Sequence, residues 1–340
     1  MLLNGARQTG KSTLARQAAA QRSGQYLTLD DPATAGLARS DPSALIQGAG
    51  AFTVIDEVQH APELFPAIKR AVDALFAAAA WRTGSLPLER ADVCKRVIAG
   101  GFPEAVARSP GERRDALFRS YIASLLQRDV RDLANIEGLT DMPRLLGLLA
   151  ARSSALLNMS EVSRAAGIAH STLRRYLALL EAAFIFQPLA AWSANIGKRL
   201  VKSPKIHLLD SGLAAHLRGD MDARALAQSP NLGPLLETFV VQEVRRLLGW
   251  SRLGATPYHF RTAAGQEVDL LLEAPGQRIA GIEVKASANV GQGDFDGLRA
   301  LSDAAGDKFA RGVVLYFGEQ RLSFADNLWA LPIASLWESA

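Results

Sequence analysis

Two sets of residues in this 340-residue sequence combine side-chain type with a spacing that can do chemistry. The first opens the chain. Gly5-Ala-Arg-Gln-Thr9-Gly10-Lys11-Ser12-Thr13 reads G-x-x-x-x-G-K-[ST], with a short apolar strand before it and a helical pattern through Arg22 after it. Such glycines let backbone N–H groups wrap a phosphate, and the following helix N-terminus adds its positive end. Lys11 is expected to reach the β- and γ-phosphates and Ser12 to ligate Mg²⁺, while Gly5, Thr9, Gly10 and Thr13 complete the nucleotide cradle. Its partner is Phe52-Thr-Val-Ile-Asp56-Glu57, an apolar strand ending in two carboxylates. Asp56 is placed to hold Mg²⁺ through water, and Glu57 to orient and polarise an attacking water. Alone, each motif has a bland alternative: a glycine turn ahead of a helix, or a strand closing at a solvated turn. Together they favour a site for ATP and Mg²⁺.

The second set lies in the C-terminal third. Side chains on a strand repeat every two residues, so Glu267 and Asp269 share one face of their strand, and Glu283 and Lys285 share one face of the next. Gly281-Ile-Glu-Val-Lys-Ala places two charges inside an otherwise apolar strand. Unpaired buried charge is costly, so these groups must be paired, solvated in a cleft or holding a metal.

The elements that position both sets follow from composition and periodicity. Hydrophobic content of 49% with 21% charged residues describes a globular chain, and the length fits two or three domains. A net charge of +4 is a mild basic excess, compatible with a nucleic-acid partner. The single Cys94 excludes a disulfide framework or a thiolate zinc site and makes a reducing cytoplasm the expected location. No apolar run approaches the roughly 18 residues of a membrane span, so no membrane partner is expected.

Strands are expected at 1–4, 26–30 and 52–56, fewer than the about five parallel strands a nucleotide-binding sheet needs to bury both faces. From Val58 to Ser154 the chain reads helical almost throughout. Arg113 to Asn135 forms one long helical pattern in which Arg128 and Arg131 read as partners on a solvated face rather than as an arginine finger. From Met142 two helices, the second capped by Ser160, precede a turn at Gly167–His170 and a third helix over 171–183. Strands at 184–192 and 206–209 flank a loop with Lys198, Arg199, Lys202 and Lys205. That is the layout of a winged helix with a basic wing, in which Arg174 and Arg175 occupy the recognition helix and the wing cations neutralise DNA phosphates. A winged helix used only for protein packing is the competing reading. Beyond it, 232–248, 258–261, 267–273, 279–285, 295–304 and 312–317 give the order α-β-β-β-α-β. The five histidines, His60, His170, His207, His216 and His259, show no metal-ligand spacing and read as structural or surface residues.

Gly5–Thr13, Asp30-Asp31-Pro32, the run Val54 to Phe65, Gly100-Gly-Phe-Pro-Glu104 and the run Lys198 to Lys205 resemble one family. It is the large group of prokaryotic AAA-like P-loop ATPases with a C-terminal domain of unknown function, and the resemblance covers essentially the whole chain. Members usually continue after the Val72-Asp73 region into a strand ending Leu-Thr-Gly-Ser, the sensor-1 segment, and then a Leu-Ala-Gly-Arg stretch. Here Thr83-Gly-Ser85 follows Trp81-Arg82 instead of an apolar strand. The resemblance thus implies nucleotide binding in a sheet short of its sensor strand, with hydrolysis left open.

The C-terminal order resembles the restriction-endonuclease-like nuclease superfamily, and Asp269, Glu283 and Lys285 resemble its D…E-x-K signature. That likeness implies Mg²⁺ bound by Asp269 and Glu283, a site completed by Glu237, and Lys285 positioning the attacking water. The fold class expected is α/β: a truncated P-loop ATPase domain over 1–110, a helical connector over 111–141, a winged-helix domain over 142–212 and a restriction-endonuclease-like domain over 213–340. The expected function is ATP binding coupled to DNA association with a nuclease-like domain. The alternatives are a non-catalytic nucleotide- and DNA-binding regulator or a decayed ATPase. A homo-oligomer stays open, because rings are common among AAA relatives.

Overall fold

The structure is a computed structural model and describes residues 15–17, 19–20, 24–49, 53–64, 89–107, 111–125, 141–199, 202–251 and 253–337. Gly5, Thr9, Gly10, Lys11, Ser12 and Thr13 lie outside the described residues, as do the expected strand at 1–4, Thr83-Gly-Ser85, Arg128 and Arg131. The described residues fall into two compact units, one drawn from residues 3–84 and the other from 85–338.

In the smaller unit, β1 (Gln25–Thr28) and β2 (Thr53–Asp56) run parallel, with Leu27 opposite Ile55. A parallel pair needs a crossover, and here it is helical: α1 (Pro32–Ser40) and α2 (Pro42–Gln47). Each helix starts at an Asp-Pro pair. The Asp31 carboxylate accepts the Thr34 N–H and the Asp41 carboxylate the Ala44 N–H, both at 2.9 Å. The prolines that follow supply a preset φ where no N–H is needed. Leu29, Ala38, Leu45 and Leu64 form the core beneath.

The larger unit begins with α3 (Arg90–Ala99), α4 (Pro103–Ala107) and α5 (Glu112–Ser124). Three further helices follow: α6 (Met142–Ala151), α7 (Met159–Ala166) and α8 (His170–Ala182). The cap of α7 is Asn158, whose side chain accepts the Glu161 N–H at 3.1 Å, and not Ser160 as expected. After α8 the chain is bridged antiparallel at Phe186–Leu208 and Leu189–Lys205, around the short α9 (Ile196–Arg199). Then come α10 (Ser211–Arg218), α11 (Ala223–Gln228) and the long α12 (Leu232–Trp250).

Six strands complete the unit: β3 (Thr256–Arg261), β4 (Glu267–Glu273), β5 (Ile279–Val284), β6 (Phe309–Tyr316), β7 (Leu322–Ala325) and β8 (Leu328–Pro332). They are ordered β3-β4-β5-β6-β8-β7, with α13 (Asp296–Ala305) between β5 and β6 in sequence. β3, β4 and β5 pair antiparallel, whereas β6 lies parallel to both β5 and β8. The α-β-β-β-α-β order is present, and the β7–β8 hairpin extends it beyond what the pattern suggested. α13 sits directly on the sheet: a Cβ at Gly297 would fall 1.8 Å from the Glu267 carbonyl oxygen, so only glycine allows that approach. At the other edge, the Trp192 N–H donates to the His259 carbonyl at 2.7 Å. The segment after α8 thereby covers part of the exposed edge of β3, where unpaired backbone groups are otherwise a liability.

Candidate functional site

At the end of β2, Asp56 and Glu57 stand side by side. The Tyr26 hydroxyl, across from β1, donates to Asp56 Oδ2, and the Glu57 N–H donates to Oδ1 at 3.0 Å. Burial, and then the bond to Asp56, raise the Tyr26 pKa, so the hydroxyl stays a donor. Arg16 lies over the Tyr26 ring, 4.9 Å from its centroid. Glu57 adopts φ 56°, the left-handed region that a non-glycine residue occupies only at a cost. Its backbone therefore turns sharply off the strand, directly after the carboxylate. The Asp56 carboxylate is thus oriented by the Tyr26 hydroxyl and the Glu57 N–H. Ser12, the other Mg²⁺ ligand expected, is outside the described residues.

In the larger unit, several elements bring charge to one buried place. α12 supplies Glu237, β4 supplies Asp269, and β5 supplies Glu283 with Lys285 just past its end. All three carboxylates converge, but a residue from elsewhere stands among them. Lys205, only 2% exposed, donates from Nζ to Glu237 Oε1 at 2.8 Å and to Asp269 Oδ1 at 2.9 Å, and lies 3.9 Å from Glu267 Oε1. The second Asp269 oxygen accepts the Val284 N–H at 2.9 Å. Glu283 accepts the Asp269 N–H at 3.3 Å and pairs with Lys285 Nζ at 3.1 Å. Lys285 also reaches Asp294, at 3.7 Å.

The electrostatics follow from burial. Burial, and then the Asp269 charge, push the Glu283 carboxyl up to about 8 and Glu237 well above the usual carboxylate range, against the pull of Lys285 and Lys205. Burial also works against the charge on Lys205. Asp269, Glu237 and Glu267 overcome it and hold that pKa above the ordinary lysine value. Two histidines flank the cluster. His207 is fully buried, with Nδ1 3.1 Å from Thr238 Oγ1, and burial followed by Arg245 and Lys205 keeps it neutral. His259 contacts the Ser203 carbonyl at 3.1 Å, and burial lowers it to about 4.

The Mg²⁺ expected at Asp269 and Glu283 does not fit this arrangement. Mg²⁺ needs carboxylate oxygens at about 2.0–2.1 Å, and the position between Glu237 and Asp269 is held by an ammonium. Among the described residues no group of three or more His, Cys, Asp or Glu side chains could hold a metal ion.

The expected nucleic-acid residues divide between surface and interior. Ser171, Arg174, Arg175 and Ala178 are exposed and spaced i, i+3, i+4 and i+7, forming one outer stripe of α8, while Leu173, Tyr176, Leu177 and Leu180 face inward. Lys202 is exposed, with Nζ 3.3 Å from the Arg261 carbonyl. Lys198 sits in α9, and its side chain is outside what the structure describes. Arg199 turns inward: it grips Glu273 with two bonds of 2.6 and 2.8 Å and stacks near the Trp192 and Tyr258 rings. Lys205, expected among the wing cations, is the buried ammonium described above. Its signal in the sequence was a charge deficit, because Lys285 alone cannot balance three carboxylates in apolar elements.

Comparison with known proteins gives three family matches. Residues 1–100 match an AAA domain, residues 90–224 a domain of unknown function (DUF8612), and residues 232–336 a domain of unknown function (DUF4143). The uncharacterized proteins Rv2008c of Mycobacterium tuberculosis and Mb2031c of Mycobacterium bovis are each 30% identical over 362 aligned positions, covering 98% of this chain and 79% of the relative. Those 362 positions exceed the 340 residues of this chain, so the relatives carry segments that it lacks. No solved structure matches. No helix among the described residues is long and apolar enough to cross a membrane. With an AAA domain at its N-terminus and DUF4143 at its C-terminus, the chain belongs to the family of AAA-type ATPases that it shares with these mycobacterial proteins.

Proposed function

We propose that the chain is an ATP-binding protein that associates with the DNA backbone through residues 142–212, read as a winged helix, and that its nuclease-like C-terminal region does not cut. The observation that carries it is the outer stripe of α8, with Arg174 and Arg175 adjacent and exposed while Leu173, Tyr176, Leu177 and Leu180 are buried in the core. Three helices followed by an antiparallel bridged pair support the winged-helix reading. The strand order with α13 between β5 and β6 supports the restriction-endonuclease-like reading of residues 213–340.

For the nucleotide, Ser12 and Asp56 are the residues proposed to hold Mg²⁺, and the bound ion would neutralise charge on the β- and γ-phosphates. Gly5, Thr9, Gly10, Lys11 and Thr13 would cradle those phosphates. Glu57 would orient the attacking water, its position fixed by the left-handed turn that follows β2.

The test is binding of a short fluorescent duplex across a salt series. Each neutralised phosphate contributes about 0.9 to the slope of log K against log salt, so Arg174→Ala with Arg175→Ala should reduce that slope by about 1.8. Arg199→Ala should leave the slope unchanged, since that cation is held by Glu273. Equal slopes for wild type and the double variant would sink the α8 assignment.

A further inference from the structure

We propose that the Lys205 ammonium takes the place of a divalent cation, so that the carboxylate cluster is closed by a cation the chain supplies itself. The inference rests on the proposed nuclease-like reading of the six-stranded sheet and is independent of DNA binding.

Lys205 is positioned by its backbone before its side chain. Its N–H donates to the Leu189 carbonyl at 2.9 Å, and its own carbonyl accepts the Leu189 N–H at 3.0 Å. It is also bridged to Leu156, so the residue is held from two sides. From there the side chain enters the space between α12 and β4. An ammonium has three donors and no acceptor, and these point at carboxylates from two elements: Glu237 at 2.8 Å, Asp269 at 2.9 Å and, more distantly, Glu267 at 3.9 Å.

Every other oxygen bond described in the cluster also ends on a protein donor. Asp269 Oδ2 takes the Val284 N–H, Glu283 Oε2 takes the Asp269 N–H, and Glu283 Oε1 takes Lys285. A divalent ion entering between Glu237 and Asp269 would sit against the ammonium and displace donors already paired. In so buried a site the repulsion is weakly screened. Removing a buried charge from such a set leaves its partners uncompensated. The carboxylates therefore keep their shape for a lysine.

The test is Mn²⁺ binding to the full chain without nucleotide, followed by electron paramagnetic resonance. Wild type and Asp269→Asn should bind the same amount, which shows that Asp269 holds no ion. Lys205→Met should gain one Mn²⁺ per chain, and Lys205→Met with Asp269→Asn should lose it. Asp269-dependent Mn²⁺ in the wild type would overturn the lysine assignment while leaving the nuclease-like reading intact. A natively folded Lys205→Met chain, judged by near-ultraviolet circular dichroism, that gains no Mn²⁺ would overturn both. Should Lys205→Met fail to fold, the comparison of wild type with Asp269→Asn decides alone.

Discussion

Replacing Asp210 by alanine should loosen α3 and the Gly100-Gly101 turn from α10. Asp210 is buried and does two jobs. It caps α10 by accepting the Leu213 N–H at 2.9 Å, and it accepts the Gly101 N–H at 2.6 Å. Gly100 makes the approach possible: it has φ 66°, and a Cβ there would meet Asp210 Oδ1 at 2.2 Å. Loss of the cap costs about 1 kcal/mol. Loss of a hydrogen bond to a charged group costs about 1.5–3 kcal/mol, and relief of the buried charge offsets part of this. A net loss of about 3 kcal/mol in a unit of this size lowers the melting midpoint by roughly 6–12 °C. Four of the five tryptophans, Trp192, Trp250, Trp329 and Trp337, lie in the larger unit, so a tryptophan-fluorescence melt reports it. Asp210→Asn keeps one acceptor for the cap and removes the charge that burial opposes, so it should lose less than half as much. A midpoint for Asp210→Ala within about 1 °C of wild type, or equal losses for the two variants, would refute the reasoning.

Two further outcomes follow from the sites. Glu283, with a folded pKa of about 8 against an ordinary 4.5, is neutral in both folded and unfolded chains at low pH. As pH rises the unfolded chain ionises first, so stability falls from about pH 4.5 until Glu283 itself ionises near 8. Glu283→Gln should flatten urea midpoints across that window, and an unchanged slope would rule Glu283 out as its source. At the other site, Lys11→Ala should weaken binding of a fluorescent ATP analogue by about 10–100-fold, the worth of one charge-assisted hydrogen bond. Glu57→Gln should leave that binding intact and abolish any phosphate release, and wild-type affinity in Lys11→Ala would exclude the phosphate loop as the site.

Much of the candidate site was legible because it depends on short-range periodicity. The two-residue repeat puts Glu267 with Asp269 on one face of their strand and Glu283 with Lys285 on one face of the next, and a strand ending in Asp56-Glu57 declares itself over a few residues. What stayed hidden is long-range pairing. Nothing local distinguishes Arg199, which grips Glu273, from the exposed Lys202 three residues later. Lys205 reads as one more wing cation because its partners are 32 and 64 residues away. The β7–β8 hairpin was missed although Asp326-Asn327 is a turn pair, because Leu322-Ser-Phe-Ala325 is short and half exposed. Asn158 outranks Ser160 as a cap for a local reason: it stands three residues before Glu161, in the spacing of a capping box.

The basic run from Lys198 to Lys205 therefore splits its charge by direction. Arg199 and Lys205 point inward and tie this segment to β4, while Lys202 points outward. A few residues further on, Asp210 fastens the same stretch to the Gly100-Gly101 turn. The segment is thus held by ion pairs to β4 on one side and by the buried Asp210 cap on the other. The same split limits what the surface can offer the proposed DNA partner. Cations spent on Glu273, Glu237 and Asp269 neutralise no phosphates, so on the proposed DNA-binding reading affinity drawn from Arg174, Arg175 and Lys202 should show a shallow salt dependence, a slope of about 2.7 at most. That fits a net charge of only +4.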